Sequence, residues 1–159
     1  MLSQADKERY ECITPVFGVT VERAFPAALP HLDEASKCYA LERYTAGIFH
    51  LMCAIQTPLN FLGKKFHVNK SATWSNWEPV MRDIEAAINT LPQKNARQRA
   101  KRECYKQVIE PLWIIKDARR NPTMHGRGRA NCSSDEARQI WTGVEAFFQR
   151  VADDLVRDV

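Results

Sequence analysis

The sequence predicts an all-α protein, an antiparallel bundle of four to five helices with a short irregular or β segment at its N-terminus. Apolar residues return at intervals of three or four over three long stretches, the period of a helix with one buried face, and a fourth stretch runs from basic to apolar. Breakers and caps stand between those stretches: Pro92, the Asn121-Pro122 step, and Ser133 followed three residues later by Glu136. Alternation of the kind that marks a strand is weak and confined to VFGVTVERAF, residues 16–25. A chain of 159 residues, 45% hydrophobic, suits one domain with one sizeable core. Residues 1–29 read as an N-terminal extension packed on the bundle, and residues 30–159 as the helical domain.

The first long helix is expected from about His31 to Phe66. Leu41, Tyr44, Ile48, Leu51, Ile55, Leu59, Leu62 and Phe66 keep one helical phase through Pro58, so the proline predicts a kink, not an end. The opposite face carries Ala46, Phe49, His50, Cys53 and Thr57, which are small or uncharged where water normally demands charge, and so predicts contact with another helix or a second subunit. The next helix spans about Ser75 to Leu91, with Trp77, Val80, Met81, Ile84, Ala87, Ile88 and Leu91 as its stripe. The third runs from about Ala96 to Arg120, basic in its first half and apolar in its second, with Pro111 inside it. The last follows the Ser133/Glu136 capping box and repeats Ala137, Ile140, Trp141, Val144, Phe147, Phe148, Val151 and Leu155. Short connections between four such helices favour an antiparallel arrangement.

Several function classes have no support. Five widely spaced cysteines, odd in number and without a C-x-x-C pair, suggest neither a disulfide framework nor a zinc site and fit a reducing cytoplasm. The polar N-terminus lacks the pattern of a secretory signal. YTAGIFHLMCAIQTPLNFLG, residues 44–63, has no charged side chain and is long enough to span a bilayer. Its His50, Gln56, Thr57, Asn60, Pro58 and Gly63 argue instead for a helix covered by protein, with no membrane partner. No P-loop, G-x-G-x-x-G, H-E-x-x-H or carboxylate cluster is present, so neither a cofactor nor a metal is expected.

Charge is unevenly placed. Between Lys94 and Arg129 eleven basic residues face three acidic ones, a net +8 in a chain of net +4, so the remainder sums to −4. That asymmetry favours a polyanionic partner, although a charged run also serves as an ordinary solvated helix face. Lys116, Arg119, Arg127, Arg129 and Arg102 are the candidate contacts to nucleic acid.

Within this region ARRNPTMHGRGR, residues 118–129, sets four arginines beside one of only four histidines. Pro122 disfavours helical geometry at Asn121, which predicts that the third helix ends near Arg120 and gathers Arg120, Asn121 and His125 at its end. A guanidinium matches phosphate oxygens with a planar fork of donors, and an imidazole moves a proton near neutral pH. Those groups suffice to cleave RNA without a metal: one moves the 2′-hydroxyl proton, the other neutralises charge on the transition state. The bare spacing of Arg and His occurs three times in the chain, and basic side chains at a helix C-terminus also simply complement its dipole. The stricter signal is Arg followed by Asn at a helix end within excess positive charge.

RNPTMH, residues 120–125, resembles the R-N-x-x-x-H signature of the HEPN superfamily, and IIKDARRN resembles the approach to that motif. ALERYTAGIFHLMCAI, residues 40–55, is similar to the first long helix of bacterial, abortive-infection-like HEPN proteins. The similarity covers roughly residues 30–155. It implies a helical bundle that dimerises so that two motifs face one cleft, and a metal-independent endoribonuclease acting as a toxin or in phage defence. It further implies that Arg120 stabilises the scissile phosphate, Asn121 positions it or the histidine, and His125 is general acid or base. RNA, a second copy of the chain and a separately encoded antitoxin or regulator are the implied partners. Some members are non-catalytic RNA- or protein-binding modules, which is the alternative function.

The other conspicuous residues have plainer readings. His50 reads as a buried, hydrogen-bonded or interface histidine, while His31 and His67 sit near helix termini with no partner pattern. Trp74, Trp77, Trp113 and Trp141 read as core or interface anchors.

Overall fold

Val80, Met81, Ile84 and Ile88 fall on one helical face, as do Val144, Phe147, Phe148 and Val151, and all eight are fully buried in a single core. The computed structural model describes residues 3–12, 15–73, 76–119 and 132–157. Among them the chain forms seven α-helices and no strand: α1 (Gln4–Tyr10), α2 (Val19–Ala24), α3 (Leu29–Ala40), α4 (Tyr44–Lys65), α5 (Trp77–Thr90), α6 (Ala96–Arg119) and α7 (Ser134–Arg157). A single 3-10 turn, Pro26–Ala28, links α2 to α3. The all-α bundle expected from the sequence is therefore observed, with more helices than the four or five expected.

Helix α4 is the hub. It packs against α3, α5 and α7, which explains the lack of charge from Tyr44 to Gly63: Ile48, Leu51, Ala54, Ile55, Leu59 and Leu62 are each at most 3% exposed. Burying each large aliphatic side chain contributes about 1.5–3 kcal/mol. At Gly47 the approach of α3 is close enough that a Cβ would meet the Ala35 carbonyl oxygen at 3.3 Å and the Cys38 Cβ at 3.4 Å. Pro58 lies inside α4, which continues to Lys65. No helix among the described residues is long and apolar enough to cross a membrane.

Two expectations are corrected. The helix read as continuous from His31 to Phe66 is two helices, because α3 stops at Ala40 and Glu42 takes a left-handed conformation (φ 57°). The Arg43 N–H donates to the Cys38 carbonyl at 2.8 Å and the Glu42 N–H to that of Tyr39 at 3.0 Å, closing the helix end. Leu41, counted as part of the apolar stripe, is 40% exposed in this turn. Secondly, VFGVTVERAF holds helix α2, not a strand, and Gly18 precedes it at φ 94°. Phe17, Val21 and Phe25 recur every four residues and enter the core, where Phe17 and Phe25 meet the Phe148 ring at 5.5 and 5.7 Å.

Candidate functional site

The end of α6 is set by packing and by charge. Tyr105, Val108, Ile109, Leu112 and Ile115 form one buried face that lies against α5 and α7. Helix α6 runs through Pro111 to Arg119. On its last described turn Lys116 bonds Glu78 of α5, Nζ to Oε2 at 3.0 Å, and its ammonium lies over the Trp113 ring at 4.8 Å. The Lys116 side chain is only 14% exposed, so this cation is engaged within the bundle and ties the C-terminal end of α6 to the start of α5.

The segment that follows joins two fixed points. Its far end is held at Cys132, whose N–H donates to the Thr45 hydroxyl at 3.0 Å in the first turn of α4. Immediately after comes the capping box read from the sequence. The Ser133 N–H donates to Glu136 Oε2 at 2.9 Å, and the Glu136 N–H returns a bond to Ser133 Oγ at 3.3 Å. Arg120, Asn121, His125, Arg127 and Arg129 lie outside the described residues, and Arg119 closes α6 with only its backbone described. The sequence therefore places the motif between a helix end pinned to α5 and a helix start pinned to α4.

Arg102 stands apart from that end. Fourteen residues separate it from Lys116 along α6, about 21 Å at the helical rise. Its guanidinium donates to Asn89 Oδ1 at 2.8 Å, and its Nε is buried with no acceptor among the described residues. Arg97, Arg99 and Lys101 in the same half are exposed. The basic region of the sequence is thus divided along one helix, with one part flanking the motif and the other at the opposite end.

Two polar clusters were not legible in the sequence. Tyr105 donates to Asp154 Oδ1 at 3.1 Å while Lys65 bonds Oδ2 of the same carboxylate at 2.5 Å, joining α4, α6 and α7. Burial pushes the Tyr105 hydroxyl above its ordinary range, partly offset by Lys65. The second cluster gives His31 a partner that no sequence pattern announced: its Nδ1 lies 3.3 Å from Nδ1 of His50 across the α3/α4 contact. Burial first, then the His31 imidazole, lowers the pKa of His50, and Glu34 opposes the shift. Neither pair has a sequence signal, since the partners lie 19 and 49 or more residues apart. A cavity of about 290 Å³ lined by Phe17, Gly18, Thr20, Val21, Gln149 and Asp153 sits between α2 and the later turns of α7. Fifteen residues separate Ser134 from Gln149, which puts that cavity about 22 Å along α7 from the helix start that follows the motif. No family model, curated protein or solved structure matches the chain.

Proposed function

We propose that this chain is a HEPN-type, metal-independent endoribonuclease that cleaves single-stranded RNA at a cleft shared by two copies. One observation carries the reading: Arg120-Asn121 directly follows the last described residue of α6 and His125 stands four residues further along the sequence, inside a segment of net +8. In this reading His125 moves the proton of the 2′-hydroxyl as it attacks the neighbouring phosphorus, leaving a 2′,3′-cyclic phosphate and a 5′-hydroxyl. Arg120 neutralises charge building on the phosphate oxygens, and Asn121 orients the phosphate or the imidazole. Arg119, Arg127 and Arg129 hold the flanking phosphates, a toxin or phage-defence role follows, and a separately encoded antitoxin restrains the enzyme. The test is cleavage of single-stranded RNA in EDTA by the purified chain, retained by wild type and lost in His125→Ala with unchanged circular dichroism. Activity that disappears on chelation, or survives in His125→Ala, overturns the proposal.

A second reading, a binding module without turnover, is favoured by the exposed Arg97, Arg99 and Lys101 of α6, about 22–28 Å along the helix from Lys116. It predicts salt-sensitive RNA association that His125→Ala leaves intact.

A further inference from the structure

The last turn of α4 and the first half of α6 meet at Tyr105. The Phe66 and Tyr105 rings lie edge to face with centroids 5.0 Å apart, and the ammonium groups of Lys65 and Lys101 lie 5.1 and 6.0 Å from the Tyr105 ring. Lys65 is engaged by Asp154. Lys64, Arg97 and Lys101 are all exposed, and none has an acidic partner among the described residues. Arg97 and Lys101 stand four residues apart and so share one face of α6, which continues to Tyr105 a turn later. From Gln93 to Arg102 the chain has five basic residues and no acidic one. A lysine in the last turn of α4 complements that helix's dipole, but Arg97 opposes the dipole of α6, and like charges gathered at one end of the bundle repel one another.

Both helices carry this patch away from the motif. Fifteen residues separate Lys101 from Lys116, about 22 Å along α6, and nineteen separate Lys64 from Thr45, which holds Cys132, about 28 Å along α4. Tyr105 is buried beneath the patch and Phe66 is half-buried, so the surface offers charge and not a face on which bases stack. We propose that Lys64, Arg97 and Lys101 form an exosite for the phosphate backbone of single-stranded RNA, remote from the cleavage motif and indifferent to base sequence. That RNA is the polyanion rests on the function proposed above; that a polyanion is bound rests on the charge alone. A strand long enough to reach both places is held at two points, and its second contact is made at high effective concentration. A strand confined to the motif gains nothing from the patch. The exosite therefore selects substrates by length.

The test is fluorescence anisotropy of the full chain with 2′-O-methylated oligouridylates, which lack the attacking hydroxyl, of about 4 and about 16 nucleotides, the span of common single-strand sites. The longer strand is expected to bind about tenfold or more tightly. Replacing Lys64, Arg97 and Lys101 together with Gln should raise the Kd of the longer strand by about tenfold and flatten its dependence on log salt by about 2, near 0.7 per contact. Affinity for the short strand and the circular dichroism should not change, and an oligoadenylate of the same length should lose affinity to the same degree as the long oligouridylate. Unchanged binding of the longer strand, or an equal loss for both lengths, overturns the proposal. So does tighter binding of polyglutamate than of the longer strand, lost in the same variant, which assigns the patch to an acidic protein. If the triple variant fails to fold, Lys101→Gln alone, expected to flatten the salt dependence by about 0.7, carries the test. Since these strands cannot be cleaved, the result stands apart from the cleavage assay of His125→Ala in EDTA.

Discussion

The two halves of α6 answer to different demands. From Ala96 to Cys104 no side chain enters the core, and Arg97, Arg99 and Lys101 face solvent; from Tyr105 to Ile115 five side chains enter it. The second half is helical because it packs. The first is helical because its start is capped and its residues are good helix formers: the Gln98 N–H donates to Asn95 Oδ1 at 2.9 Å, and the Lys94 N–H to Gln98 Oε1 at 2.8 Å. No acidic residue stands in the first turn, where the helix dipole favours one, and arginines stand there instead. Charge in the first half is therefore not explained by the stability of the helix, whereas apolarity in the second half is.

The largest effects are expected at the proposed catalytic motif and in the apolar half of α6. His125→Ala should lower the RNA cleavage rate by about 10²–10⁴-fold, the usual contribution of a positioned acid or base, with the melting midpoint unchanged. A gel in EDTA measures the first and circular dichroism the second. Leu112→Ala should cost about 2–5 kcal/mol in urea unfolding, since Leu112 is fully buried and its removal leaves a cavity. An equal cost from an alanine at Arg99 would erase the contrast between the halves.

Much of this contrast is legible in the sequence, and the failures have physical causes. The stripes of α5 and α7 each sit on one face, so periodicity finds them, while the second half of α6 announces itself by its apolar composition. Glu42 escapes notice because a left-handed residue there is normally announced by glycine, and the apolar phase of Leu41 and Tyr44 runs on across the break. Phe17, Val21 and Phe25 carry a four-residue repeat that the neighbouring Val16 and Val19 disguise as alternation. At the site, Arg120, Asn121 and His125 are recognisable as a string, but the bond between Lys116 and Glu78 is not, because it depends on how α5 meets α6. The His31/His50 pair is invisible for the same reason.

Tyr105 marks the boundary between the halves, and its hydrogen bond to Asp154 gives an intermediate effect. Tyr105→Phe should cost about 1 kcal/mol in denaturant unfolding. The same residue predicts a pH dependence. Its hydroxyl is held protonated above its ordinary range, so the folded chain keeps a proton that the unfolded chain releases near pH 10. Its contribution is therefore full below about pH 10 and is lost as pH rises further, and Tyr105→Phe should flatten that alkaline fall.

The smallest change in stability is expected at the exposed end, and it should carry the opposite sign. Arg97 and Arg99 place positive charge against the positive pole of α6, which costs about 0.3–1 kcal/mol per charge at low salt. Replacing Arg97, Arg99 and Lys101 with Gln should thus leave the fold intact or raise its stability slightly, an effect that fades as salt is added. If these side chains meet phosphates, the same substitution should weaken RNA binding and flatten the dependence of log Kd on log salt by up to about 2, near 0.7 per contact on a single strand. The two measurements are tied: a helix made more stable while its RNA affinity falls can only be carrying charge for a partner. Unchanged affinity with raised stability would instead reduce the basic half of α6 to a solvated surface.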